Sequence, residues 1–191
     1  SSGTGTKRWT LAGAGLQTFT DDESVVNAAA FSAAGGEQRI LTGSDNTAML
    51  WDAAGQLLHT FSGHSKWVSA AAFSPDGSRV LTGSVDGTAK LWTLDGTLLQ
   101  TFAGHTKGVR AVAFSPDGSQ VLTGSVDGTA KLWGLDGRLL FTLSGHGAEI
   151  TSVAFLSAGG ITSALTGSMD NTVKLWDPAT GKERATLVLI G

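Results

Sequence analysis

The chain has 191 residues, 27 of them Gly, with no Cys, a charged fraction of 15% and a net charge of −3. Gly at about twice its usual share of roughly 7%, with charge well below the usual value near 25%, is a composition of tight turns around short strands. Without Cys there are no disulfides, thiol catalysis or Cys-based zinc sites, without a Lys/Arg cluster beyond Lys7-Arg8 no broad basic face for nucleic acid, and without a long apolar run no membrane span.

In chain order, the opening "SSGTGTKRWT" holds no apolar stretch of the kind a secretory signal needs and begins as a linker or cloning scar would. A cytoplasmic setting is expected. From there a set of marks recurs in constant register. Trp falls at positions 9, 51, 92, 133 and 176, and "LTGS" starts at Leu41, Leu81, Leu122 and Leu165. "AAAFS", "AAAFSPDGS", "AVAFSPDGS" and "SVAFLSAGG", beginning at Ala28, Ala70, Ala111 and Ser152, each precede an "LTGS". The phrase "VLTGSVDGTAKLW" occurs letter for letter at Val80–Trp92 and Val121–Trp133. A verbatim repeat points to a structural unit stacked on copies of itself, whereas an active site is assembled once from unlike pieces.

One unit divides into four strands, each too short to be a helix. Val109–Phe114 is apolar and ends at Ser115-Pro116-Asp117-Gly118, where Pro presets the turn and Gly takes the positive φ. Val121–Ser125 ends at Asp127-Gly128, a hairpin signal; Ala130–Trp133 follows, and Leu139–Leu143 comes after Asp136-Gly137. Four antiparallel strands in about 41 residues is the length of a propeller blade.

These marks resemble the WD-repeat (Trp-Asp) β-propellers, in the bacterial-type array where "AFSPDGS" units are nearly identical. The match rests on "GH" at Gly63-His64, Gly104-His105 and Gly145-His146 and on "LTGSxDxTxKLW" at 81, 122 and 165. The Trp-Asp pair itself stands only at Trp51-Asp52 and Trp176-Asp177. The resemblance implies an all-β fold in one domain, residues 1–191. It divides into the third and fourth strands of a partial blade at 7–20 and full blades at approximately 25–61, 67–102, 108–143 and 149–190. The first full blade departs from the pattern, with Asp21-Asp22 in the "GH" place and "SDNTAMLW" one residue short. Its hydrogen-bond network is expected to be missing, as in an atypical end unit.

His105, Ser125 and Asp127 are the residue types of a hydrolase triad. The same set recurs around His64, Ser84, Asp86 and Trp92 and around His146, Ser168, Asp170 and Trp176, which speaks for structure rather than three catalytic sites. An indole only donates, a hydroxyl and a neutral imidazole do both, and a carboxylate only accepts. Trp92, Trp133 or Trp176 can therefore run through Ser or Thr and His to Asp with every group satisfied, as the resemblance implies. Ser84, Ser125 and Ser168 compete for the hydroxyl place with Thr82, Thr123 and Thr166, because residues two apart share a strand face.

The resemblance also implies that one face of the ring, around the channel, presents residues to a protein or peptide partner. The innermost strands begin there with Val25, Trp67, Gly108 and Glu149, followed two positions on by Asn27, Ser69, Arg110 and Thr151. Trp67 is either a binding anchor or packs sideways on the next blade. Arg110 is either a donor to a carboxylate or a solvated surface charge. Val85, Val126 and Met169 either extend an apolar floor or pack within their loops. A non-enzymatic scaffold without cofactor or metal is expected. The alternatives are a sensor or docking part of a larger bacterial protein and a propeller hydrolase with a channel metal. The latter is poorly served, since the "GH" histidines are assigned and His59 stands alone on an outer strand. Four blades span little more than half a ring of seven or eight, and "ATLVLIG" is apolar on nearly both sides of what should be an edge strand. A homodimer joined head to tail, with eight blades or nine, is the expected closure.

Overall fold

A computed structural model describes residues 6–9, 15–19, 25–32 and 34–188, with side chains from residue 25 onward. The protein is all-β. β1 (Thr6–Trp9) and β2 (Gly15–Phe19) form a two-stranded antiparallel sheet. Four antiparallel sheets of four strands follow, each a simple meander in chain order. Blade 1 is β3 (Val26–Ser32), β4 (Arg39–Ser44), β5 (Thr47–Asp52) and β6 (Leu57–Ser62). Blade 2 is β7 (Val68–Phe73), β8 (Arg79–Ser84), β9 (Thr88–Thr93) and β10 (Leu98–Ala103). Blade 3 is β11 (Val109–Phe114), β12 (Gln120–Ser125), β13 (Ala130–Gly134) and β14 (Leu139–Leu143). Blade 4 is β15 (Ile150–Ala158), β16 (Ile161–Ser168), β17 (Thr172–Trp176) and β18 (Glu183–Val188).

Turn chemistry sets the strand limits. In Ser74-Pro75-Asp76-Gly77 the Gly77 N–H donates to the Ser74 carbonyl, and Ser74 Oγ and the Ser78 N–H both donate to Asp76. The second hairpin of blade 2 turns over Val85-Asp86-Gly87, with Gly87 at φ +89° completing a three-residue loop. Blade 4 places Asn171 at the same position with φ +63°, a conformation Asn tolerates better than most residues. The first hairpin of blade 4 differs from its sisters. Gly159-Gly160, both with positive φ, replace the Pro-Asp-Gly turn and lengthen β15 to nine residues and β16 to eight. Between β3 and β4 the residues Ala34–Gly36 form a single turn of 3-10 helix, where only strands and turns were expected.

The core lies between blades rather than within them. Leu81, Ala89, Leu91 and Phe102 of blade 2 pack on Phe114, Val121 and Trp133 of blade 3. Equivalent residues join blade 1 to blade 2 through Leu41, Leu50, Val68 and Trp92, and blade 3 to blade 4 through Leu122, Leu132, Ala164 and Trp176. Close approach depends on the Gly of each "LTGS". A β-carbon on Gly43 would lie 2.7 Å from Val68 Cγ1, and one on Gly124 would lie 2.5 Å from Ile150 Cγ2. The innermost strand of each following blade thus seats a β-branched side chain over a bare backbone. Burying a Val or Ile fully contributes about 1.5–3 kcal/mol, and Val68, Val109 and Ile150 are completely buried.

Candidate functional site

Two groups of polar residues stand out, one sealed and one open. The sealed group is a chain of hydrogen bonds in blades 2, 3 and 4. Trp92 Nε1 donates to Thr82 Oγ1 at 2.9 Å, Thr82 Oγ1 lies 2.8 Å from His64 Nε2, and His64 Nδ1 lies 2.9 Å from Asp86 Oδ2. Blade 3 repeats this through Trp133, Thr123, His105 and Asp127, and blade 4 through Trp176, Thr166, His146 and Asp170. Donors and acceptors alternate if each imidazole is neutral with its proton on Nδ1, so the Thr hydroxyl donates to Nε2 and Nδ1–H to the carboxylate.

The hydroxyl in this chain is therefore that of Thr. Ser84, Ser125 and Ser168, which the sequence left as equal candidates with Thr82, Thr123 and Thr166, sit one step outside. Ser84 Oγ donates to the Lys66 carbonyl and accepts the Asp86 N–H, and Ser125 and Ser168 repeat the pattern on Lys107 and Ala148. They brace the loop before each innermost strand. Thr and Ser of "LTGS" share a face, but Thr82 lies opposite Lys90, within reach of Trp92 two residues on, while Ser84 lies two residues farther away along the strand.

Burial lowers the pKa of His64 and His105, against the pull of Asp86 and Asp127 toward the charged form. Burial alone would raise the carboxylates. Hydrogen bonds outweigh it: Asp86 accepts from Thr88 Oγ1, the Ser65 and Thr88 N–H groups and His64, and falls to about 2. Asp127, with Thr129, His105 and the Thr106 N–H, also falls to about 2, and Asp170 is lowered in the same way. The three imidazole side chains are at most 2% exposed. No open side remains on which a substrate could meet His105, and its Nε2 is engaged by Thr123 rather than Ser125.

In blade 1 the first link is present, with Trp51 Nε1 donating to Thr42 Oγ1 at 2.9 Å. Asp21-Asp22, in its "GH" place, lie outside the described residues. Its shorter hairpin turns through Asp45 at φ +27° and Asn46.

The open group lies where the innermost strands begin. Every innermost strand carries a β-bulge in the same register, between Val26 and Ala28, Val68 and Ala70, Val109 and Ala111, and Ile150 and Ser152. The bulged residues are Asn27, Ser69, Arg110 and Thr151, four of the residues singled out from sequence. A bulge re-aims its side chain, and here each goes its own way. Ser69 Oγ donates to the Val109 carbonyl of blade 3 at 2.5 Å, a structural tie between blades. Thr151 Oγ1 donates to the Gly167 carbonyl and Asn27 Nδ2 to the Val25 carbonyl. Arg110 reaches across to blade 4, its Nε 3.8 Å from Glu149 Oε2.

Trp67 does not pack away. It is 62% exposed and forms one wall of a depression of about 470 Å³ between blades 1 and 2, together with Asp45, Asn46, Ser65, Lys66 and Val85. Two blades on, a second depression of about 410 Å³ includes Lys107, Val126, Glu149 and the exposed Met169. Val85 and Val126, left open from sequence between floor and loop packing, each line one of these depressions. Among the described residues no three His, Asp or Glu gather closely enough to hold a metal ion, and no helix is long and apolar enough to cross a membrane.

The family model described as WD domain, G-beta repeat, matches the chain at residues 13–52, 55–93, 96–134 and 137–177. Each match takes the outermost strand of one sheet with the three inner strands of the next, so the sequence repeat is offset by one strand from the blade. No curated protein matches the chain.

Proposed function

Because the chain belongs to the WD40 (G-beta repeat) family, whose domains are generally protein-interaction scaffolds and usually non-enzymatic, we propose that it is a non-enzymatic scaffold. It captures a protein or peptide on the face where the innermost strands begin. The observation that carries this reading is Trp67, a large aromatic 62% exposed on the wall of a concave depression. Exposed Trp is costly to leave in water and is enriched among residues that dominate binding. Arg110 and Glu149, paired across blades 3 and 4, supply polar contacts on the same face. The four full blades close into a ring of eight by head-to-tail pairing of two chains, or of nine if β1 and β2 contribute a further blade. Near-identity of blades 2 and 3 suits a docking part of a bacterial-type repeat protein, and a Cys-free chain suits the cytoplasm.

Selection of a displayed random peptide library on the wild-type chain tests the binding reading. Selected peptides should bind Trp67→Ala at least about fivefold more weakly, a loss of roughly 1 kcal/mol, with the melting midpoint unchanged. A fall in the midpoint instead would make Trp67 a packing residue and remove the anchor from the proposed site.

A further inference from the structure

Three faces within the chain share one construction, and a fourth copy of it is uncovered. In blades 1, 2 and 3 the face around the "LTGS" Gly is closed by the innermost strand of the following blade, through Val68, Val109 and Ile150. Blade 4 has the same face built from Leu165, Gly167, Val173, Leu175 and Leu187, paired in the same register across β16, β17 and β18. Among the described residues a β-carbon on Gly167 would meet none of another blade, only Ser152 of its own. Leu187 occupies the register place of Phe61, Phe102 and Leu143, each at most 2% exposed, yet is itself 55% exposed. Leu165 and Leu175 are half-buried where their counterparts are fully buried.

The matching knob lies at the other end of the array. Val26 takes the register place of Val68, Val109 and Ile150 but stays half-buried, Ala29 is exposed, and Phe31 is 57% exposed. Ile40 and Trp51 in the outer part of blade 1 are already buried, so the bare portion of this blade is its innermost strand. That strand is the element which fills the Gly socket at the other three junctions.

Resting on the self-association reading above, we propose that the seam between chains is this contact: β3 of a second copy lies on blade 4, with Val26 seated over Gly167 and beside Leu187. The surface offered is mainly apolar, with the Ser152 hydroxyl beside the missing Cβ and the Arg184 guanidinium bonded to Ser163 and Asp177 farther along the strands, and the chain presents the complementary strand itself. One uncovered socket and one uncovered knob among the described residues make the contact heterologous, so two copies joined about a twofold axis satisfy both ends.

The Cys-free sequence permits a direct test. Val26→Cys and Gly167→Cys chains are mixed and oxidised, with light scattering of the unaltered chain in parallel. A Gly43→Cys/Val68→Cys double variant calibrates the reaction, since a β-carbon on Gly43 lies 3.2 Å from Val68 Cβ. The expected result is a mass of twice 19.5 kDa and a cross-linked pair at least about tenfold above a Val26→Cys/Ser119→Cys mixture, with bond geometry that requires close Cβ approach. A doubled mass without that cross-link overturns this seam and leaves self-association standing. A single-chain mass overturns both. A disulfide formed within one Val26→Cys/Gly167→Cys chain shows closure on itself and overturns the seam. Leu187→Lys, an exposed edge-strand change, should lower the mass to one chain with the melting transition still cooperative; an unchanged mass counts against the contact.

Discussion

His64 and His105 sit with their pKa lowered by burial, so acid must either charge them inside the protein or favour the unfolded chain. The unfolded imidazoles take up protons near pH 6.5 and the folded ones only at lower pH, so the unfolded state binds more protons in between. Stability is therefore complete above about pH 6.5 and falls as pH drops toward the folded pKa. Asp86 and Asp127, at about 2 in the fold, add a second loss from about pH 4 down to about 2. Melting midpoints taken from pH 8 to 4 should hold level at first and decline below about 6.5; a midpoint equal at pH 7.5 and 5 would contradict the neutral imidazoles. His105→Ala leaves the Thr123 hydroxyl and the Asp127 carboxylate each one partner short, at roughly 1–3 kcal/mol. An undiminished midpoint would argue against a structural role for His105. The alternation of donors and acceptors was legible from residue types, but the choice of Thr82 over Ser84 was not. Both face the same side of one strand, and only the cross-strand position of Trp92 decides.

At the level of strands and their junctions, the verbatim phrase and its turns carried most of the information. β11 and β14 run as their turn signals place them, because Pro-Asp-Gly and Asp-Gly leave the chain few other ways to reverse. The long hairpin of blade 4 follows from Gly159-Gly160, whose departure from "SPDG" was visible but whose effect on strand length was not. The bulges were hidden altogether, since register is a cross-strand property with no mark in a single strand. The Gly of "LTGS" is a junction residue, and it separates inner junctions from the end face. Gly124→Ala would drive a methyl to 2.5 Å from Ile150 Cγ2 and 2.8 Å from Val153 Cγ1. Overpacking of this kind costs about 1–3 kcal/mol. Among the described residues Gly167→Ala meets only the Ser152 hydroxyl, which can rotate away, and should stay within about 0.5 kcal/mol for the isolated chain. Denaturant midpoints for the two variants, taken at protein concentrations low enough to separate the chains, compare the junctions directly; equal losses there would mean that blade 4 is covered within its own chain.

For the whole molecule, association and stability are linked. If two chains share apolar seams, mass action favours the paired state, and the melting midpoint should rise over a roughly hundredfold increase in protein concentration. A midpoint flat across that range would point to chains that stand alone. Blade count and the apolar "ATLVLIG" raised the question of closure in the sequence, but which residues would meet at the outer faces was not legible there, because such a contact joins strands far apart in the chain. The exposure of Leu187 and Val26 is what brings those faces into view. The offset between sequence repeat and blade has a further consequence. Every unit of about 41 residues brings its own β-branched knob and its own Gly socket. Duplication or loss of one unit in the gene would leave each remaining junction chemically the same. Selection can then vary the number of blades while the contacts between them stay constant, and a phrase copied verbatim at Val80 and Val121 is the trace such a history would leave.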